Sequence, residues 1–155
     1  MIEKPNISDE KIIFALQKNY SIHVISIDFL PLGLDSSAWA YRVKTGGIAY
    51  FLKLRKAIPN PAGILLPCFL KEQGIGQVMA PLATKDGVAW ASAEGFFFIL
   101  YPFITGNEVM KVGMSDAHWV EFGSVLKRLH ATKPTPDLLR QIKRETFIPD
   151  RKSVV

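Results

Sequence analysis

The segment IDFLPLGLDSSAWAYRVKTGGIAYFLKLRK, residues 27–56, predicts three short strands joined by two turns. Apolar runs separated by clusters of small residues and glycines are typical of strands and hairpins. Gly46-Gly47 predicts a two-residue hairpin turn, because glycine reaches the positive φ angles of such turns at little steric cost. The third strand carries Lys53 among aromatic and aliphatic residues. A charge inside such a strand requires an explanation.

Two explanations for Lys53 follow from the residues themselves. The lysine can snorkel at a sheet edge, since its four-carbon stem can lie on apolar surface while the ammonium reaches water. It can also face an anion, because the preceding small-residue turn LGLDSS, residues 32–37, offers backbone N–H groups and two hydroxyls. Position alone leaves both explanations open.

The order of these features is similar to that of a known fold. The small lobe of a kinase contains, in order, a strand, a small-residue loop, a second strand, a hairpin and a strand with an inward lysine. The chain resembles the aminoglycoside phosphotransferase family of the protein-kinase-like fold, and within it the spectinomycin-type phosphotransferases. The stretches that carry the resemblance stand in family order: SSAWAYRV (36–43), YFLKLRK (50–56), FLKEQGI (69–75), VMAPL (78–82), FFFILYPFITG (96–106) and WVEFGSVLKRLHA (119–131).

The resemblance implies an α+β fold. Residues 1–104 would form a kinase-like N-terminal lobe, with a five- to six-stranded, mainly antiparallel sheet plus helices. Residues 105–155 would form the hinge and the first helices of a truncated C-terminal lobe. The parent enzyme would be an ATP- or GTP-dependent O-phosphotransferase that uses magnesium and acts on a small hydroxylated molecule of the aminoglycoside or aminocyclitol type, with a role in antibiotic resistance.

The resemblance also assigns nucleotide-binding residues. Lys53 would neutralise the phosphates, and the loop containing Gly33, Ser36 and Ser37 would cover them, although Gly33 is its only glycine. The hinge would read adenine through its backbone, at the Pro102 carbonyl and the Ile104 N–H. Glu72 is the one acidic residue between Leu54 and Asp86. It either pairs with Lys53, as a helix glutamate does in kinases, or is an exposed helix end.

The residues that perform phosphoryl transfer are absent from the sequence. The family places an H-G-D motif and an asparagine before a D-x-D or D-x-G motif, and neither motif occurs in these 155 residues. We therefore assign no catalytic residue and no metal ligand, and we expect magnesium to be held by residues of the parent enzyme. The chain alone is predicted to be inactive. The alternative is a non-catalytic nucleotide-binding or interaction module with a kinase-like small lobe.

Composition agrees with a folded domain. Apolar residues make up 48% of the chain and charged residues 21%, which is unlike a disordered sequence. One cysteine allows no internal disulfide, no signal peptide is evident, and the longest apolar run is far below the roughly 20 residues of a membrane span. We expect a cytoplasmic protein with no membrane partner. The net charge of +5 lies largely on predicted helix faces, so we expect no nucleic-acid partner.

Periodicity predicts the remaining elements. Helices are expected at residues 8–20, at 61–73 with a kink or split at Pro67, at 115–132 and at 137–144. Strands are expected at 77–84, 88–93 and 96–103, with the helices on one side of the sheet. The helix 115–132 carries an apolar stripe that lacks an obvious partner, and this predicts self-association through it.

Overall fold

A computed structural model describes residues 3–31 and 37–143 of the chain. Within them, five strands form one sheet in the order β1-β2-β3-β5-β4, and every neighbouring pair is antiparallel. The predicted α+β class with a five-stranded antiparallel sheet is confirmed. The elements in chain order are α1 (Asp9–Tyr20), β1 (Ser26–Leu30), β2 (Ala38–Lys44), β3 (Ala49–Arg55), α2 (Ala62–Glu72), β4 (Ala91–Ala93), β5 (Phe96–Pro102), α3 (Val109–Val112), α4 (Asp116–Ala131) and α5 (Pro136–Gln141).

The main core lies between α1 and one face of the sheet. Leu16 of α1 packs with Leu52 and Leu54 of β3 and Phe98 of β5, and all four side chains are fully buried. The Tyr20 hydroxyl, at the end of α1, donates to the Phe98 carbonyl at 2.7 Å. Apolar burial and this hydrogen bond together fix α1 on the sheet.

A second, smaller core lies on the opposite face. Ile64 of α2 packs with Ile99 of β5 and Ala89. Successive side chains of a strand point to opposite faces, so β5 is apolar throughout because Phe98 and Ile99 serve two different cores. Helices therefore cover both faces of the sheet, and the expectation of helices on one side was wrong.

The connection between β2 and β3 differs from the predicted turn. Neither Gly46 nor Gly47 has a positive φ, so the expected two-residue turn is wrong. The connection instead contains four residues, because the last strand pair is Lys44 with Ala49. The Thr45 hydroxyl closes it, accepting from the Ile48 N–H at 3.2 Å. The positive φ angles that favour tight hairpins occur at the β4–β5 turn, with 53° at Glu94 and 74° at Gly95.

The predicted strands before β5 are shorter than expected. Residues 77–84 form no strand, and 88–93 are reduced to β4. A proline cannot donate to a ladder, and Pro81 stands in the middle of the first segment. The Leu82 N–H still donates to the Leu100 carbonyl at 2.7 Å. Residues 84–88 form a turn, in which Gly87 has a φ of 75° and the Thr84 N–H donates to the Val88 carbonyl at 2.8 Å.

The helix predictions are mostly confirmed. Ser115 caps α4 by accepting from the His118 N–H at 3.3 Å. The helix α2 continues through Pro67 without splitting, since a proline there removes only the bond to the Gly63 carbonyl. None of the helices within residues 3–31 and 37–143 combines the length and apolar character that crossing a membrane requires.

Candidate functional site

Lys53 lies in the middle of the sheet. It occupies the central strand β3, opposite Ala40 of β2 on one side and Ile99 of β5 on the other. Its neighbours Leu52 and Leu54 enter the main core, so alternation directs Lys53 to the opposite face, which also carries α2. Lys53 therefore does not lie at a sheet edge, and the explanation of an edge lysine that snorkels to water is wrong.

The Lys53 ammonium has no protein partner in the described part of the chain. No hydrogen bond and no ion pair to it occurs within residues 3–31 and 37–143. The side chain is half-buried. Buried cations normally have a partner, so a half-buried lysine that has none among the described residues is suited to receive an anion.

Glu72 is not joined to Lys53 in this conformation. It is the last residue of α2 and is exposed, and the first turn of α2 contains no acidic residue. The pKa of the nearby Cys68 thiol is raised, mainly by burial and secondarily by the Glu72 carboxylate. Glu72 therefore lies beside Cys68, and its pairing with Lys53 stays a prediction.

The strand β1, which precedes the small-residue loop in sequence, ends at the level of Lys53. Leu30 at the end of β1 pairs with Ala40, the residue opposite Lys53. Leu30, Ala40 and Lys53 therefore lie side by side on three neighbouring strands. Ser37 is exposed directly before β2, whereas Gly33 and Ser36 lie outside the described residues. The assignment of this loop to phosphate stays a prediction.

The backbone beyond β5 presents a carbonyl at an open edge. The Phe103 N–H donates to the Ala49 carbonyl of β3 at 3.1 Å. Consecutive residues of an antiparallel strand direct their polar backbone groups to opposite sides, so Pro102 points away from β3. The Leu100 carbonyl, two residues earlier, points that way and accepts from the Leu82 N–H. β4 pairs only with residues 96–98 of β5, so no strand covers Pro102.

Ile104 belongs to the same edge. It is two residues beyond Pro102, past the end of β5, and its side chain is exposed. Outside the sheet ladder, no group of the described chain hydrogen bonds to the Pro102 carbonyl or the Ile104 N–H. The Pro102 carbonyl and the Ile104 N–H are thus an acceptor and a donor two residues apart, without partners in the described chain, and their assignment to adenine stays a prediction. A proline is acceptable at position 102, because the arrangement needs only its carbonyl and not an N–H donor.

Aromatic side chains surround this edge on the Lys53 face. The Arg42 guanidinium lies 4.6 Å from the centre of the Phe103 ring, a cation–π contact. The rings of Phe51 and Tyr101 lie 6.4 Å apart. Burial raises the pKa of the Tyr101 hydroxyl, which keeps it neutral. Sequence reasoning missed Arg42, Phe103 and Tyr101, because only the pairing register of β2, β3 and β5 places them on the Lys53 face.

The described residues contain no metal centre. No group of three or more histidine, cysteine, aspartate or glutamate side chains in residues 3–31 and 37–143 could hold a metal ion. These residues therefore do not fit a magnesium site of their own, and no chemical step of this chain is assigned through magnesium.

Two solved structures resemble this arrangement. One is the crystal structure of spectinomycin phosphotransferase, APH(9)-Ia, in complex with ADP and spectinomycin, with a TM-score of 0.85 and 24% sequence identity. This chain shares that fold. The AMP-bound complex of the same enzyme matches with a TM-score of 0.77 and 22% identity.

The extent of the match is unequal. The alignment covers 94% of this chain but only 44% of the ADP and spectinomycin complex, and 88% against 42% for the AMP complex. The chain thus spans less than half the length of the phosphotransferase whose fold it shares. No protein-family model and no curated protein matches the sequence.

Proposed function

We propose that the chain is the nucleotide-binding N-terminal portion of an ATP-dependent small-molecule phosphotransferase. The proposal rests on two features of one kinase-like sheet, both of which lack a hydrogen-bond or ion-pair partner among the described residues. Lys53 offers a positive charge without an acidic partner in the described chain, and the edge at Pro102 and Ile104 offers an acceptor and a donor. The two solved structures of the same fold hold ADP and AMP.

The roles of these residues follow from their chemistry. The Pro102 carbonyl accepts from the exocyclic amine of adenine, and the Ile104 N–H donates to a ring nitrogen. Lys53 stabilises the phosphate charge, and the loop containing Gly33, Ser36 and Ser37 shields it from water. A guanine base presents a carbonyl where adenine has its amine, so ATP suits the Pro102 carbonyl better than GTP.

The chemistry of transfer requires groups that this sequence lacks. Positioning and charge stabilisation supply nearly all of the catalysis in phosphoryl transfer, and the sequence contains no H-G-D motif followed by D-x-D. We therefore propose that the 155-residue chain binds nucleotide without turning it over, and that the complete enzyme is cytoplasmic and phosphorylates an aminocyclitol-type antibiotic. The same missing motifs favour one second candidate, a non-catalytic nucleotide-binding module.

Calorimetry or ligand-observed NMR with ATP tests the proposal. We expect a dissociation constant in the high micromolar range or weaker, since only part of a nucleotide site is present. Lys53→Met should weaken binding about tenfold, equivalent to about 1.4 kcal/mol. Lys56→Met is the matched control, because Lys56 lies over the Phe96 ring at 3.7 Å and is exposed. Equal affinities of the wild type and Lys53→Met would refute the role of Lys53.

A further inference from the structure

The helix α2 ends in a closed turn with a defined geometry. The Ile75 N–H donates to the Leu70 carbonyl at 3.1 Å, and the Gly74 N–H donates to the Lys71 carbonyl at 3.0 Å. Gly74 has a φ of 81°, and these features together form the Schellman motif that commonly ends a helix. Leu70 and Ile75 are both buried, as is usual for the apolar contact of this motif. The turn therefore holds the Gly74 backbone in one orientation.

The turn is bound by two side chains of α4. The Arg128 guanidinium donates to the Gly74 carbonyl at 2.6 Å, which is a charge-assisted hydrogen bond. The positive charge of Arg128 also lies at the negative end of the α2 dipole. Seven residues earlier, and so on the same side of α4, the Glu121 carboxylate accepts from the Gln77 amide at 3.3 Å. The helix α4 is thus attached to residues 74–77, directly after α2.

The helix α5 contacts α2 as well. Leu138 of α5 is buried, and α5 packs against α2. Both α4 and α5 follow β5, in the part of the chain that was predicted to begin the C-terminal lobe, whereas α2 belongs to the predicted N-terminal lobe. The helix α2 is therefore held from the side that follows β5.

The opposite side of α2 packs on the sheet face that carries Lys53. Ile64 of α2 packs with Ile99, the residue that pairs with Lys53 across β3 and β5. Tyr101, two residues further along β5 on the same face, packs against this cluster. A displacement of α2 would therefore reach the side chains next to Lys53.

We propose that Arg128 is a positioning residue for nucleotide binding. Its bond to Gly74 holds α2 on the Lys53 face, so that the helices after β5 set the nucleotide affinity of the sheet. No ion pair joins α2 to Lys53 within residues 3–31 and 37–143, so the lysine does not anchor this helix, whereas Arg128 does. The inference rests on the proposed function and adds a means of regulating it.

The single cysteine of the chain, Cys68, reports the position of α2. It lies on α2, half-buried against the cluster of Ile64 and Ile99, and its thiol donates to the Ile64 carbonyl at 3.3 Å. In the full 155-residue chain, we expect Arg128→Met to raise the rate of alkylation by iodoacetamide about fivefold or more, because α2 opens more often. Loss of a positive charge alone would disfavour the thiolate and slow alkylation, so the two effects differ in sign.

Calorimetry with ATP tests the coupling to the nucleotide. Arg128→Met should weaken ATP binding about fivefold, at the low end of typical couplings between two sites. Arg128→Lys keeps a cation that can donate to the Gly74 carbonyl, so it should recover most of the affinity and the slow alkylation. Lys127→Met is the matched control, because it removes the same charge from the neighbouring position of α4, where no ion pair to a described residue occurs. The control should change both measurements by less than twofold.

A core variant separates positioning from general stability. Tyr20→Phe removes a hydrogen bond of the main core, on the other face of the sheet, and should leave both measurements within twofold of the wild type. Alkylation as fast in Tyr20→Phe as in Arg128→Met would overturn the proposal, and so would an unchanged alkylation rate or an unchanged ATP affinity in Arg128→Met. A wild-type chain that binds no ATP would refute the proposed function, and the alkylation rates would still decide whether Arg128 holds α2.

Discussion

Two buried tyrosines of the main core provide a matched test of the hydrogen-bond assignments. The Tyr20 hydroxyl donates to the Phe98 carbonyl at 2.7 Å, whereas the buried Tyr41 hydroxyl has no hydrogen-bond partner among residues 3–31 and 37–143. Tyr20→Phe removes a satisfied bond, and we expect it to cost about 1–1.5 kcal/mol of unfolding free energy. Tyr41→Phe removes a hydroxyl that gained nothing on folding, so we expect no loss, or a gain of up to about 1 kcal/mol.

Thermal and urea unfolding, followed by circular dichroism, measure the difference. In a domain of this size, 1 kcal/mol corresponds to a change in Tm of about 2–4 °C. Tyr20→Phe should therefore melt a few degrees below the wild type, and Tyr41→Phe at or above it. Both substitutions remove the same atom from a buried ring, so loss of packing cancels in the comparison. Equal destabilisation by the two variants would refute the assignment of an unpaired hydroxyl at Tyr41.

Three further outcomes can be measured with the same protein. Burial raises the pKa of both tyrosines, that of Tyr41 to about 12, whereas an unfolded tyrosine titrates near 10. The free energy of unfolding should therefore fall as the pH rises above 10, because the folded state resists ionising the buried hydroxyls. Tyr41→Phe should flatten that fall in pH-dependent urea melts. Glu72→Gln should change the ATP affinity by less than twofold in calorimetry, because no ion pair joins Glu72 to Lys53; a tenfold loss would indicate that nucleotide binding brings them together. Arg42→Ala should weaken ATP binding severalfold by freeing Phe103 beside the purine edge, and Arg42→Lys, which keeps a cation over the ring, should recover most of it.

The features that the sequence predicted well depend on neighbouring residues. Ser8 and Ser115 cap α1 and α4 with their own side chains, and such caps can be recognised within one turn of sequence. The β4–β5 turn at Glu94-Gly95 is likewise local. The resemblance to a kinase-like small lobe added the order of strands, which no local pattern contains.

The features that the sequence predicted poorly depend on distant partners. The segment around Pro81 has strand-like composition, but whether it pairs is decided by β5 about twenty residues later. The place of Lys53 in a central strand follows from the strand order, and only that order excludes an edge lysine. The free edge at Pro102 depends on the pairing register between β3 and β5. Residues 102–104 alone therefore do not predict which backbone groups stay without a hydrogen bond.

The Pro102 and Ile104 groups lie at the end of β5, and Lys53 lies in β3. This separation predicts how the affinities for ATP and adenosine differ. In the proposed function, Pro102 and Ile104 at the end of β5 would contact only the base, whereas Lys53 inside β3 would contact only the phosphates. In the wild-type chain, ATP should bind more tightly than adenosine by about 10- to 100-fold, the value of a charge-assisted bond of about 1.5–3 kcal/mol. In Lys53→Met, the adenosine affinity should stay unchanged and the advantage of ATP should nearly vanish.

Raised salt should weaken ATP binding in the wild type and have little effect in the variant, because the Coulomb attraction to phosphate is screened. Ligand-observed NMR measures all four affinities in one buffer. Loss of adenosine binding in Lys53→Met would contradict the division of roles, since it would show that the lysine supports the base or the fold rather than the phosphates.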